Sequence, residues 1–294
     1  MREPVPPIRS PRDPLRQVRA RVTRFAGADA AEARDELAIE EPLELRAPGS
    51  GGAPPSSIAV IMRTPGHDEE LAAGFLLSEG LIEGAAELAG FAPGSDGDGL
   101  PTDNALDVHL AGALDLAARA RERGYSRQFA VTASCGVCGK HTVDAACAAL
   151  PAIASGEPRM SAATLYALPE RLRAEQRVFH DTGGLHAAAL FAADGALLAL
   201  REDIGRHNAV DKLIGRALLD GALPLDQRAL LVSGRLSFEI VLKALVAGVP
   251  LLAAVSAPSS LAVDLAERGG ITLVAFLRGT TMNVYTHGWR VVPG

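Results

Sequence analysis

Between residues 229 and 276 the chain alternates short apolar runs with longer amphipathic stretches, and this alternation constrains the fold more than any other feature. Residues 229–232 (ALLV), 251–255 (LLAAV) and 271–276 (ITLVAF) read as buried strands. Residues 238–247 and 260–267 read as helices, the first stopped by Gly248 and Pro250 and the second by Gly269 and Gly270. Strands joined by helices of about ten residues cannot be hairpin partners, so the pattern predicts a parallel sheet covered on both faces. Upstream, residues 186–200 (HAAALFAADGALLAL) read as two strands joined at Asp194-Gly195, and residues 208–219 as a helix. The fold class is therefore α/β, with a C-terminal three-layer α/β/α domain over residues 151–294. Such sheets bind ligands beyond the carboxyl ends of their strands. Those ends carry Arg201, Glu202 and Asp203, then Ser233, Gly234 and Arg235, then Ser256, and finally Arg278 and Gly279.

The first half is less regular. Residues 1–24 hold seven arginines among prolines with no apolar run behind them, which predicts a flexible basic tail and not a secretory signal. A smaller N-terminal α+β lobe is expected over residues 25–150. Within it, residues 37–46 read as two extended pieces around Pro42, 47–57 as loop, and 58–62 as a buried strand. A helix runs from Asp68 to near Gly80, residues 90–103 read as a linker, and a strand and a basic segment follow between 106 and 130. Residues 132–140 (TASCGVCGK) read as a loop, followed by helices over 141–150 and 161–177, the latter with a break at Pro169. No apolar stretch approaches the roughly 20 residues of a membrane span. With 29 basic against 35 acidic residues, the net charge of −6 argues against general nucleic-acid or membrane affinity. Three cysteines do not suggest a disulfide framework, and a reducing cytoplasm is the expected location.

Cys135 and Cys138 form a C-x2-C pair on a glycine-flanked loop. Redox exchange, metal ligation, persulfide carriage and simple packing all use that spacing. A thioredoxin-type dithiol usually opens a helix, which this loop does not. Zinc would need His141 and Cys147 to complete four ligands, an unusually tight set, and Cys147 in an alanine-rich helix also reads as a small buried hydrophobe. Persulfide carriage needs a thiolate with access to donor and acceptor, and Lys140 and His141 would favour the thiolate. Spacing alone leaves redox and sulfur transfer open. A zinc-dependent deaminase would carry H-x-E and P-C-x2-C. Here the only such His-x-Glu, His67-Asp68-Glu69, lies far upstream, and Ser134 precedes Cys135.

Several long strings together resemble the FdhD family, accessory sulfurtransferases of formate dehydrogenase. They are EEPLE at 40–44, RTPGHDEELAAGFLLSEGLI at 63–82, SCGVCGK at 134–140, FHDTGGLH at 179–186, REDIGRHNAVDKLIG at 201–215, SGRLSFEIVLK at 233–243, residues 256–262, and FLRGTTMNVY at 276–285. The resemblance implies a sulfur carrier that accepts persulfide from a cysteine desulfurase. It would transfer the sulfur to the molybdenum or tungsten of a bis(molybdopterin guanine dinucleotide) cofactor, activating formate dehydrogenase. It further implies that Cys135 bears the persulfide with Cys138 as partner, and that Phe276, Leu277, Arg278, Gly279, Thr280 and Thr281 contact the cofactor. The C-terminal lobe would resemble the cytidine deaminase fold. A homodimer is expected from the resemblance and from base rates. A passive cofactor chaperone, its cysteines merely packed, is the alternative.

A cofactor with two pyrophosphates calls for glycine amides, helix N-termini and cationic side chains. Gly183, Gly184, Ser233, Gly234, Arg235, Arg278 and Gly279 fit that requirement. Arg206, His207, Asn208 and Lys212 open a helix where they could hold a phosphate, with Asp203 offering a carboxylate to guanine N1 and N2. Structural roles compete: Asn208 as a helix cap, His207 as a satisfied polar residue, each glycine as a strand terminator. His180 and His186 flank the Asp181–Gly184 turn, as proton shuttles or structural histidines. Glu239 and Lys243 have the i, i+4 spacing of a helix salt bridge.

Overall fold

A computed structural model describes residues 16–48, 54–96, 98–112, 114–122, 130–131, 152–153 and 156–293. Cys135, Cys138 and Cys147, with Lys140 and His141, lie outside the described residues.

The described chain opens with a two-stranded arm. Strands β1 (Gln17–Ala26) and β2 (Asp29–Ala38) pair antiparallel across a turn at Gly27, whose φ of 65° favours glycine. Residues 17–24, expected in the flexible tail, are thus strand. The basic residues of β1 face an acidic β2, and Arg19 Nε lies 2.5 Å from Glu36 Oε1.

Next comes a five-stranded sheet of β3 (Glu41–Ala47), β4 (Ser56–Arg63), β5 (Leu88–Ser95), β6 (Pro101–Leu110) and β7 (Ala130–Val131), ordered β5-β6-β3-β4-β7. The stretch read as a linker is mostly the β5–β6 hairpin. Its glycines serve close packing, since a β-carbon on Gly94 would fall 2.9 Å from Arg46 Cζ. That guanidinium donates to Asp107 Oδ1 at 2.7 Å and to Ser95 O at 2.8 Å, locking β3 to the hairpin. Among the described residues, this half also holds helices α1 (Asp68–Ser78) and α2 (Leu116–Glu122).

Helix α3 (Ala162–Glu175) continues through Pro169, held by burial of Leu165, Leu168 and Leu172, and ends at Gln176 instead. The short α4 (Arg177–Thr182) follows directly. Strands β9 (His186–Phe191), β10 (Leu197–Asp203), β11 (Ala229–Val232), β12 (Leu251–Ala254), β13 (Thr272–Arg278) and β14 (Thr281–Thr286) form one sheet, ordered β10-β9-β11-β12-β13-β14. Its connecting helices are α5 (Arg206–Leu219), α6 (Phe238–Val246) and α7 (Ser260–Gly269). A short parallel pair, β8 (Met160–Ser161) with β15 (Val291–Val292), closes the chain.

The sheet is mixed, not wholly parallel. Only the neighbours β11, β12 and β13 pair parallel; tight hairpins make β9–β10 and β13–β14 antiparallel, and β9 also pairs antiparallel with β11, to which the chain returns after β10 and α5. Strand alternation assigns the faces. Leu230, Val232, Leu252, Ala254 and Leu273 pack with α5, α6 and α7, while Leu231, Leu251, Ala253 and Val274 pack with Leu165, Leu168 and Leu172 of α3. The molecule is α/β, and this sheet has helices on both faces.

The first of these cores is continuous with Leu43, Leu45 and Ile61 of the N-terminal sheet. Helix α1 crosses α5 at Gly74 and Gly215, both without side chains to hold the backbones apart. Three charged contacts cross the same seam: Glu70 with Arg201, Lys212 Nζ donating to Thr64 O at 2.9 Å, and Ser78 with Asp211. Among the described residues no helix is long and apolar enough to cross a membrane.

Candidate functional site

Strand register gathers the site. Asp203 at the end of β10 pairs with His186 at the start of β9, and Val232 of β11 lies between Ala188 and Ala254. Consequently Gly183, Gly184, His186, Ser233 and Val255 meet on one rim, where they border a cavity of about 460 Å³. Arg173, Gln176 and Phe179 complete its polar and aromatic wall, and Pro169, Leu172 and Leu185 its apolar one. Gln176, where α3 gives way to α4, falls inside the helix expected over 161–177, and Phe179 of α4 lies just beyond that helix's expected end. Nothing in the local pattern marks them as cavity residues, because α3 reaches the rim only through tertiary packing.

Helix α4 is fixed by a carboxylate from outside it. Glu202 Oε1 accepts from Phe179 N at 2.9 Å and Oε2 from Val178 N at 3.1 Å, satisfying two amides of the first turn. The Arg173 guanidinium stands 5.2 Å from the Phe179 ring centroid. Gly183 ends α4 with φ 66° and its N–H is spent on Phe179 O at 2.7 Å, while Gly184 N donates to Thr182 Oγ1 at 3.2 Å. These two amides are therefore engaged, and the glycines shape the wall instead of offering donors.

His186 lines the cavity, and His180, exposed beside Asp181, does not. Burial holds the His186 imidazole below its ordinary value and Arg206 lowers it further, against a smaller opposing effect of Asp203. His186 is therefore neutral near pH 7. Arg206 and His186 both adjoin Gly234, within 3.6 Å of where its β-carbon would stand. Arg206 Nε, in the same neighbourhood as His186 but outside the cavity lining, is buried with no hydrogen-bond partner.

Other residues expected at the ligand turn out to be structural. Asp203 is fully buried: Oδ2 meets Lys212 Nζ at 2.6 Å and accepts from Thr64 N, while Oδ1 accepts from Gly205 N at 2.8 Å and Asn208 Nδ2 at 2.9 Å. Its lone pairs are occupied, so it has no capacity for a guanine edge. Asn208 also donates to Met62 O at 2.8 Å, and Lys212 is 1% exposed. These two brace the turn at 63–66 against α5. Lys243 reaches Asp211, at 2.8 and 2.9 Å, and not Glu239. Glu239 turns toward His207, whose Nε2 lies 3.9 Å away. Burial opposes its ionisation, but hydrogen bonds from Ser237 and its own backbone, with His207 and Arg206 nearby, hold it below the usual carboxylate range.

Residues 276–281 form the β13–β14 hairpin and its bulge. Phe276 adopts φ 53°, a strained conformation for an aromatic residue, held by Phe276 N donating to Ser256 O at 3.1 Å. The bulge turns Phe276 outward and leaves Leu277 fully buried in the core under α3, so the Leu277 side chain cannot touch a ligand. Arg278 Nε donates to Val255 O at 2.7 Å, joining the hairpin to the cavity rim. Gly279, with φ 52°, makes the turn, and Thr280, Thr281 and Arg235 are exposed.

The model of the FdhD/NarQ family matches residues 38–292. The chain belongs to that family. A sulfur carrier protein FdhD from Mycolicibacterium paratuberculosis is 50% identical over 276 residues, covering 93% of this chain and 98% of the relative. A protein of the same name from Sulfurisphaera tokodaii is 43% identical over 277 residues, covering 93% of this chain and 98% of the relative. A crystal structure of a formate dehydrogenase accessory protein from Desulfotalea psychrophila aligns with TM-score 0.71 at 24% identity, over 94% of this chain and 99% of that one, a likeness of fold. The FdhD/NarQ match includes both the cysteine pair and the rim.

Proposed function

We propose that this chain is a sulfur carrier serving formate dehydrogenase. It takes persulfide sulfur from a cysteine desulfurase onto Cys135 and passes it to the metal of a molybdenum or tungsten bis(molybdopterin guanine dinucleotide), bound as substrate at the C-terminal rim. The observation that carries this reading is the 50% identity, over nearly the full length of both chains, with proteins named sulfur carriers. In support, the rim joins a cavity to an exposed Arg278-Gly279-Thr280 turn and to the orphan Arg206 Nε, groups suited to an anionic nucleotide. Residues 151–294 act as the cofactor lobe, of cytidine deaminase-like architecture, and residues 25–150 carry the cysteines. The working form is a cytoplasmic homodimer.

The chemistry balances on the two thiols. The Cys135 thiolate attacks the terminal sulfur of the desulfurase persulfide, and the desulfurase cysteine leaves as thiolate without net oxidation. Delivery as sulfide takes two electrons. Attack of the Cys138 thiolate on Cys135 Sγ supplies them, forming a Cys135–Cys138 disulfide and freeing hydrosulfide for the metal; a cellular dithiol then reduces the disulfide.

Incubation with a cysteine desulfurase and cysteine is expected to add about 32 Da, one sulfur, to the peptide carrying Cys135. Cys135→Ala is expected to fold, gain no such mass and restore no formate dehydrogenase activity in cells. Wild-type activity from that variant would overturn the proposal.

A further inference from the structure

The β1–β2 arm meets the body at its base, where Gln17 Nε2 donates to Asp181 Oδ2 at 3.2 Å and a β-carbon on Gly184 would lie 3.5 Å from Ala38 Cβ. Gln17 and Ala38 are cross-strand partners, so the ribbon face that carries them is turned to the body. Strand alternation turns the other face away. That face carries Val18, Ala20, Val22, Ala31, Ala33 and Leu37, with Val18 52% and Leu37 45% exposed. A two-stranded hairpin is marginally stable by itself in water, and strands of ten residues reach about 33 Å. A ribbon this long with an open apolar face therefore calls for a cover. The FdhD/NarQ match begins at residue 38, where β2 ends, so the arm lies outside what defines the family.

The charges of the two strands identify the cover. β1 holds Arg19, Arg21 and Arg24 and no acidic residue, whereas β2 holds Asp29, Glu32, Asp35 and Glu36 against the single Arg34. One edge of the ribbon is basic and the other acidic. Two such ribbons, stacked through their apolar faces about a twofold axis parallel to the strands, place β1 of each copy over β2 of the other, so opposite charges meet twice. The same axis sets Val22 over the other copy's Ala33 and Val18 over its Leu37, and the alanines permit the usual sheet spacing of about 10 Å. We propose that the apolar face of the arm packs on the arm of a second copy of this chain. This rests on the homodimer of the functional reading above and names the surface that makes it.

Analytical ultracentrifugation of the full-length protein over a concentration series tests this. Val22→Glu combined with Leu37→Glu puts two carboxylates per copy into the stacked face and should weaken the dimer about a hundredfold. Near-UV circular dichroism should stay that of the wild type, because both side chains lie outside the body's core. Phe25→Ser, at the ribbon tip on the opposite face, should leave dimerisation within about twofold. Raising the salt to about 1 M should weaken the wild-type dimer severalfold by screening the facing charges. If the double variant dimerises like the wild type, the inference fails and the homodimer reading stands. Dissociation accompanied by loss of the near-UV signal also overturns the inference, since the arm would then be holding the body together. A wild-type chain that is monomeric at every concentration would overturn the homodimer reading and the inference with it.

Discussion

Gly74 on α1 and Gly215 on α5 face each other so closely that neither position has room for a methyl group. A β-carbon on Gly74 would lie 2.9 Å from Gly215 N, and one on Gly215 would lie 2.7 Å from Gly74 N. Alanine is normally preferred to glycine inside a helix by about 1 kcal/mol. Here the sign reverses, because the obstructing atoms are backbone and both helices must move apart. Gly74→Ala or Gly215→Ala should destabilise the protein by about 3 kcal/mol, read as a lower urea midpoint. A neutral or stabilising alanine at either site would refute the close crossing.

Glu70 and Arg201 join the two halves beside that crossing, with Arg201 Nη2 donating to Glu70 Oε1 at 2.7 Å. Burial alone would raise the Glu70 carboxyl, but hydrogen bonds from Arg201 and His67, and their charge, hold it at about 2 against an ordinary 4.5. A folded value below the unfolded one means stabilisation that is complete above about pH 4.5 and is lost as pH falls toward 2. Arg201→Gln should cost about 2 kcal/mol at pH 7, a gap from wild type that narrows below pH 4.5. Urea titrations from pH 3 to 7 check this, and a gap independent of pH would contradict it.

Lys212 neutralises Asp203 in a fully buried pair. Lys212→Met strands a buried carboxylate and should cost roughly 3–5 kcal/mol. Adding Asp203→Leu should restore part of that loss. Chemical denaturation of the single and double variants checks the coupling; additive losses would show that the two residues act independently.

Glu202 caps α4 from a neighbouring strand. Glu202→Ala should cost about 1 kcal/mol overall, the scale of a lost helix cap. Its local signature should be faster amide exchange over residues 178–182, by mass spectrometry. Unchanged exchange there would mean that α4 is held by other contacts.

The C-terminal strands and helices were legible because each buries one face, and burial writes a period into the sequence. Residues 238–247 and 260–267 match α6 and α7 to within about two residues at each end. The direction of β9, β10 and β14 was less legible: hydropathy carries no sign for strand direction, and the Asp194-Gly195 turn revealed only the first hairpin. Residues 17–24 and 90–103 were misread for a different reason. Charged and glycine-rich strands lack a hydrophobic period, and they are held by cross-strand ion pairs and by the close packing of Gly94 against Arg46.

By itself, the sequence determined the α/β class, the family, and the convergence of polar residues at the strand ends, since all three rest on local pattern or on strings of residues. Tertiary structure decided which of those polar residues remain available to a ligand. Asp203, Asn208 and Lys212 satisfy one another in the interior, while Gln176 at the cavity wall and Arg206 close to Gly234 each keep a donor unpaired. Hydrogen-bond capacity is spent on whatever partner is nearest in space, and Thr64 and Met62, more than a hundred residues away along the chain, are among those partners.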